Sequence, residues 1–127
     1  MEEEEAFKRH GAFSWCELIT EDAASAKTFY AQLFGWDTEE VILPDKTYRV
    51  LTSGGKPVGG GILEMPGMPA MWGVYVTVDD VDQSAGLAVQ LGATILLPPT
   101  ESPNVGRICV IRDPQGACIN LMTYLKA

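Results

Sequence analysis

The chain has 127 residues, 46% hydrophobic and 20% charged, the size and make-up of one globular domain able to bury a core. Its net charge of −8, with no basic patch to offset it, argues against nucleic acid as a partner. The apolar runs are too short to span a bilayer, and the opening MEEEEAFKRHG has neither the charge nor the apolar centre of a secretory signal.

Residues 1–11 read as an acidic flexible tail, with four successive glutamates and the chain's one histidine, His10, taken as a surface residue. A strand is expected over 12–20, with Trp15, Glu17 and Ile19 on one face and Cys16, Leu18 and Thr20 on the other. Asp22 is placed as the N-cap of a helix whose apolar stripe is Ala26, Phe29, Tyr30, Leu33 and Phe34, and Gly35 as its left-handed stop. Strands follow over 37–43, 47–53 and 57–65, separated by Asp45-Lys46 and by Ser53-Gly54-Gly55-Lys56. A Pro- and Gly-rich linker fills 66–71.

The second half repeats this order. A strand over 72–78 leads to a helix capped by Asp79 or Asp80 and ended by Gly92. Strands are expected over 94–97, 105–112 and 117–124, with three prolines in the stretch 98–104. That stretch is read as a stiff, extended loop, either one lip of a pocket or a plain connector. The cysteines, Cys16, Cys109 and Cys118, are odd in number, form no CxxC pair and lie in apolar runs. They read as free thiols of a protein in the reducing cytoplasm.

A gapless shift of 57 positions lays the two halves on each other. It matches Trp15 with Trp72, Thr20 with Thr77, Asp22 with Asp79, Ala31 with Ala88 and Gly35 with Gly92. It also matches Pro57 with Pro114, Gly59 with Gly116, Ile62 with Ile119 and Met65 with Met122. Unrelated segments of this length would share roughly three residues, so the chain reads as a duplication. The repeats are 12–65 and 72–124, each βαβββ.

Two such units, with the helix end Phe29-Tyr30 and Leu33–Trp36, the helix start Val78–Asp82 and the late turn Arg112–Gly116, resemble one superfamily. It is the glyoxalase / bleomycin-resistance / extradiol-dioxygenase superfamily, also called vicinal oxygen chelate. The resemblance implies an α+β fold in which two tandem βαβββ modules form a curled mixed sheet around a cup, and commonly a homodimer. Enzymatic members hold a divalent metal with four side chains from the first and last strands of each unit. Carried over, those positions fall on Trp15, on Trp72 or Gly73, on Leu63 and on Asn120. Such residues do not make a divalent-metal site, so neither metal nor cofactor is expected. Glu64 belongs to the face of Ile62, away from the cup.

Alternation supplies the expected lining: Trp15, Glu17, Leu63, Tyr75, Thr77, Cys118, Asn120 and Met122, with Arg107 at the mouth and space left by Gly59-Gly60-Gly61; Trp72 is added to it as the carried-over family position. An aromatic and apolar lining with few polar groups suits a small-molecule ligand, planar or cationic. Glu17 is the inward acid, a general base or the partner of a ligand cation, or else a structural ion pair with Arg107. For the two tryptophans, plain packing weighs equally with ligand stacking. Three functions stand. The first is a metal-free binding protein. The second is a lyase, isomerase or dioxygenase acting on a small oxygenated metabolite, with Glu17 as base or metal ligand. The third is a regulatory or accessory module that keeps the fold for protein contacts alone.

Overall fold

The computed structural model describes residues 6–125; the glutamate run at 2–5, within the expected tail, and residues 126–127 lie outside the described residues. The fold is α+β. Its elements are β1 Phe13–Thr20, α1 Ala23–Phe34, β2 Asp37–Ile42, β3 Thr47–Ser53, β4 Lys56–Glu64, β5 Met71–Thr77, α2 Val81–Gln90, β6 Thr94–Ser102, β7 Gly106–Arg112 and β8 Cys118–Tyr124. This is βαβββ twice. Backbone proximity groups Trp15–Gly73 as one unit and the residues before and after it as the other.

In the first unit the strands lie in the order β2-β3-β4-β1. β1 runs parallel to β4, and β3 is antiparallel to both of its neighbours. Helix α1 starts where expected: the Asp22 carboxylate accepts from the Ser25 N–H at 3.0 Å. Glu64 adds a second acceptor, taking the Ala23 N–H at 3.0 Å from the helix side of β4. Gly35, at φ 74°, closes the helix by donating to Ala31 O. The core is Leu18, Ala23, Leu51 and Ile62, with Ala26, Tyr30 and Trp36 packed on it.

The predicted helix stripe is only half buried. Ala23, Ala26 and Tyr30 fall within an arc of about 60° on the helix and face the sheet. Phe29 and Leu33 lie on the flank of that arc, and Phe34 sits at the helix end against Tyr30 and Trp36; all three are more than half exposed.

In the second unit the order is β5-β8-β7-β6, with β5 parallel to β8 and the other pairs antiparallel. Asp80, not Asp79, caps α2, accepting from the Gln83 N–H at 3.2 Å. The core is Val78, Val81, Ala85, Cys109, Ile111 and Leu121. The stretch 98–104, expected as a loop, is mostly strand: β6 continues to Ser102, pairing Thr100, Glu101 and Ser102 with β7. The register slips on either side of Leu97, and β6 is an edge strand, so Pro98 and Pro99 remove no ladder bond. Asn104 then turns the chain at φ 65°, with the Val105 N–H donating to Ser102 O.

Residues 7–12, mostly assigned to the tail, are bonded to the end of β5. Gly11 N–H donates to Thr77 O at 2.7 Å, and Thr77 N–H donates to Ala12 O at 2.8 Å. His10 Nδ1 accepts from the Asp79 N–H at 3.0 Å.

The two repeats are not gapless. The helix caps Asp22 and Asp80 stand 58 residues apart, whereas the stops Gly35 and Gly92 stand 57 apart. The first strands therefore follow the longer spacing. Trp15 corresponds to Gly73 and Glu17 to Tyr75, and the Trp15–Trp72 match in sequence is not a structural one. A strand has period two, so this single residue reverses which face Trp72 belongs to.

Candidate functional site

In the first unit, parallel pairing places Leu18 beside Ile62, and both belong to the core under α1. Their neighbours Glu17 with Gly61, and Ile19 with Leu63, consequently face the other side of the sheet. Trp15 shares that face by alternation. Glu17 is 7% exposed, an acid held almost wholly away from water.

Tyr48, on β3, completes the arrangement. Its phenol oxygen accepts from the Trp15 indole N–H at 2.7 Å, and the two rings are tilted at 42° with centroids 6.4 Å apart. To reach across β4 the tyrosine lies directly over Gly61: a Cβ built there would come within 2.3 Å of the ring. The space expected from the glycine run is thus filled at Gly61 by an aromatic ring from the neighbouring strand. Gly60 is also obligatory, since a Cβ there would meet the carbonyl oxygen of Cys16 at 2.9 Å.

Tyr48 was absent from the expected lining. Its signal was present in the alternation of Tyr48, Val50 and Thr52 against Leu51, and in a strand glycine, which marks the close approach of another group. Leu63 stands on the expected face beside Ile19.

Trp72 does not join this face. Its indole N–H donates to Tyr30 OH at 3.1 Å, and its ring packs edge-on against Tyr30 and Trp36, among the aromatics around α1. The face reversal derived above is the reason.

In the second unit, Tyr75 pairs with Asn120 and Thr77 with Met122, on the face opposite the core residue Leu121. Cys118, Asn120 and Met122 share this face by alternation, as expected. Thr77 is buried, but its hydroxyl donates to Phe7 O, so its polar group serves the N-terminal segment. The Tyr75 carbonyl accepts from Ser14 Oγ at 3.5 Å.

Arg107 is a correction. It shares a face with Cys109, which is fully buried in the core beneath α2, so Arg107 points to the helix side and not to a cup mouth. There its guanidinium grips Asp82 with two bonds, 2.7 and 3.0 Å. These bonds hold the Asp82 carboxyl below the usual carboxylate range and raise Arg107 further. The expectation that Glu17 might be neutralised by Arg107 falls with this, because the guanidinium is committed to Asp82.

The donor set does not suit a divalent metal. With Gly73 in place of Trp72, the four family positions are Trp15, Leu63, Gly73 and Asn120, which offer one weak side-chain ligand. Among the described residues no three His, Cys, Asp or Glu side chains gather into a possible cluster. A hollow of about 430 Å³, lined by Ala24, Ser25, Thr28, Phe29 and Gln32, lies along the outer side of α1 and touches none of the Glu17 site. Among the described residues, no helix is long and apolar enough to cross a membrane.

Comparison with known proteins agrees with the fold. The family model "Glyoxalase/Bleomycin resistance protein/Dioxygenase superfamily" matches residues 12–121. CFP32 of Mycobacterium tuberculosis, whose name proposes a glyoxylase, is 38% identical over 114 residues, covering 88% of this chain and 44% of that protein. The anthracycline biosynthesis protein DnrV of Streptomyces peucetius is 32% identical over 124 residues, covering 84% of this chain and 45% of that protein. The chain thus spans less than half the length of these relatives. Among solved structures, a methylmalonyl-CoA epimerase from Mycobacterium tuberculosis superposes with a TM-score of 0.60 at 18% identity, covering 91% of this chain and 89% of that one. A methylmalonyl-CoA epimerase variant from Streptomyces coelicolor gives 0.65 at 17%, covering 94% and 98%. At such identity the likeness is one of fold.

Proposed function

Because the chain belongs to the glyoxalase / bleomycin resistance protein / dioxygenase superfamily, we propose that it binds a planar or cationic aromatic small molecule without a metal. The observation that carries this reading is Glu17, 7% exposed, on the same sheet face as the hydrogen-bonded Trp15–Tyr48 pair. Two half-buried aromatic rings offer flat surfaces for stacking, and the acid offers a partner for a ligand cation or hydroxyl. The poor donor set argues against a metal route. The name of DnrV, an anthracycline biosynthesis protein, points to the same class of fused planar rings.

Calorimetric titration with acridine orange, a fused-ring cation, tests the reading. The expected result is saturable binding that falls about tenfold in Trp15→Ala, the loss of roughly 1.4 kcal/mol of stacking and cation–π attraction. Glu17→Gln should weaken this cation more than a neutral ring system of the same shape. Absence of binding in the parent protein would sink the proposal. Near-stoichiometric transition metal after chelator-free purification would instead favour a metalloenzyme, as would turnover of an oxygenated metabolite that Glu17→Gln abolishes.

The same reading assigns a second copy of the chain as partner. Its support is the exposed Phe29, Leu33 and Phe34 on α1, together with relatives more than twice as long as the matched segment. The three free cysteines fit a reducing cytoplasm as its location.

A further inference from the structure

We propose that the second unit holds an anion subsite on the sheet face opposite α2. There Arg112, with Thr94 and Asn120 beside it, takes the carboxylate or phosphate group of a small-molecule ligand. The inference goes beyond the reading of Glu17 and does not depend on it, because every residue in it belongs to the second unit.

The face follows from packing and register. Cys109 and Ile111 belong to the core under α2, so Val110 and Arg112 stand on the other side of β7. Register carries that side across three strands, with Arg112 opposite Thr94 on β6 and Cys118 on β8. Their chain neighbours agree, since Ile95 and Ile119 pack on the core from the helix side. Asn120 lies on the same face one diagonal step from Arg112, opposite Val110 on β7 and Tyr75 on β5. Directly opposed Cβ atoms are about 4.5–5.5 Å apart and diagonal ones about 7–8 Å, a span that a long side chain covers. Thr94, Arg112 and Cys118 are exposed and Asn120 is half-buried, so a ligand can reach the row from solvent.

Charge singles out the arginine. The chain has 17 acidic residues against nine Lys and Arg, yet Arg112 forms no ion pair among the described residues. Arg107 by contrast grips Asp82, and Arg49 reaches Glu40 at 4.0 Å. Asp113, next to Arg112 in the chain, turns its Oδ1 to the Gln115 and Ala117 N–H groups at 2.9 and 3.0 Å, inside the turn that leads to β8. The guanidinium therefore keeps its fork of N–H donors, in a protein whose overall field repels anions.

The donor set fits an oxyanion. A guanidinium matches the two-oxygen edge of a carboxylate or phosphate with paired hydrogen bonds. The Thr94 hydroxyl and the Asn120 amide make no hydrogen bond among the described residues, and each can donate to a further oxygen.

Cys118, exposed and the register partner of Arg112, supplies the readout. Iodoacetate carries a carboxylate and iodoacetamide does not, so the ratio of their rates at one thiol measures attraction of an anion, and the thiolate fraction cancels. In the full chain, read by peptide mass mapping, Arg112→Gln should lower this ratio about threefold at Cys118 and leave it unchanged at Cys16. In a second arm 2-naphthoate, 2-naphthyl phosphate and the neutral 2-naphthamide compete with iodoacetamide. At least one of the two acids should slow labelling of Cys118 at least about threefold in the parent protein and not in Arg112→Gln, and which acid does so separates carboxylate from phosphate. Arg112→Lys, which keeps the charge and loses the fork, should keep the rate ratio and lose most of the protection. The thermal midpoint establishes that each variant is folded.

An unchanged ratio in Arg112→Gln would overturn the assignment, as would equal protection by the amide and the acids. A ratio that falls without protection by either acid would overturn it too, because the arginine would then attract anions without holding one. Acridine orange binding reports separately on the Glu17 face, so either reading can fail alone.

Discussion

Cys109 has no exposed surface, and its thiol is pushed above the usual cysteine range, first by burial and then by the negative charge of Asp82. Cys16 and Cys118 are exposed. Because the thiolate is the nucleophile, iodoacetamide at neutral pH should modify Cys16 and Cys118 and leave Cys109 unmodified until the protein is denatured. Peptide mass mapping reads this directly, and rapid labelling of Cys109 in the folded chain would contradict its place in the core. Ile62 is likewise fully buried, between Leu18 and the helix. Ile62→Ala should cost about 2–5 kcal/mol in denaturant unfolding, the sum of lost transfer energy and an uncollapsed cavity. At this scale alternation read the faces of β1, β4 and β8 correctly, because one side of each strand is a core of aliphatic residues. It missed Tyr48, whose contact with Trp15 depends on the absence of a side chain at Gly61, on the strand between them. It placed Arg107 wrongly because alternation along β7 leaves open which of its two faces is the core, and only the packing of α2 on Cys109 decides.

Helix α2 is tied to β7 by the two-bond contact between Asp82 and Arg107. The carboxyl is held below its ordinary value, so its contribution to stability is fully present above the unfolded pKa and is lost as pH falls through the folded one. The parent protein should therefore lose thermal midpoint between about pH 5 and pH 2 more steeply than Arg107→Ala, and the two should converge at the acid end. Parallel midpoint curves would mean that the contact adds nothing in solution, as many exposed ion pairs do. The raised Arg107 has no consequence in this range. Strand β6 shows the opposite limit of sequence reading. Proline argues against a strand, and the argument holds for interior strands; β6 is an edge strand, where no partner needs the missing N–H.

For the molecule as a whole, the proposed pairing makes a prediction of its own. With Phe29 and Leu33 exposed on α1, native mass spectrometry should return twice the chain mass, and the double change Phe29→Glu with Leu33→Glu should return the monomer with its spectrum unchanged. A monomeric parent protein would leave that face without a second copy of the chain on it. The duplication, the element order, both glycine stops and the family were legible from residue order alone. They rest on local chemistry: helix caps, turn glycines, period-two strands and the spacing at which these recur. The offset of one residue between the helix caps was left open by residue order, because nine identities favour the gapless match and a cap works equally well from Asp79 or Asp80 until the helix is packed. That single residue moved Trp72 from the face of Trp15 to the aromatics around α1 and made Gly73 the counterpart of Trp15. Sequence by itself determined what kind of fold this is. Tertiary structure decided which side chains meet, since a strand residue's side depends on registry with its neighbours, and registry is a property of the packed sheet.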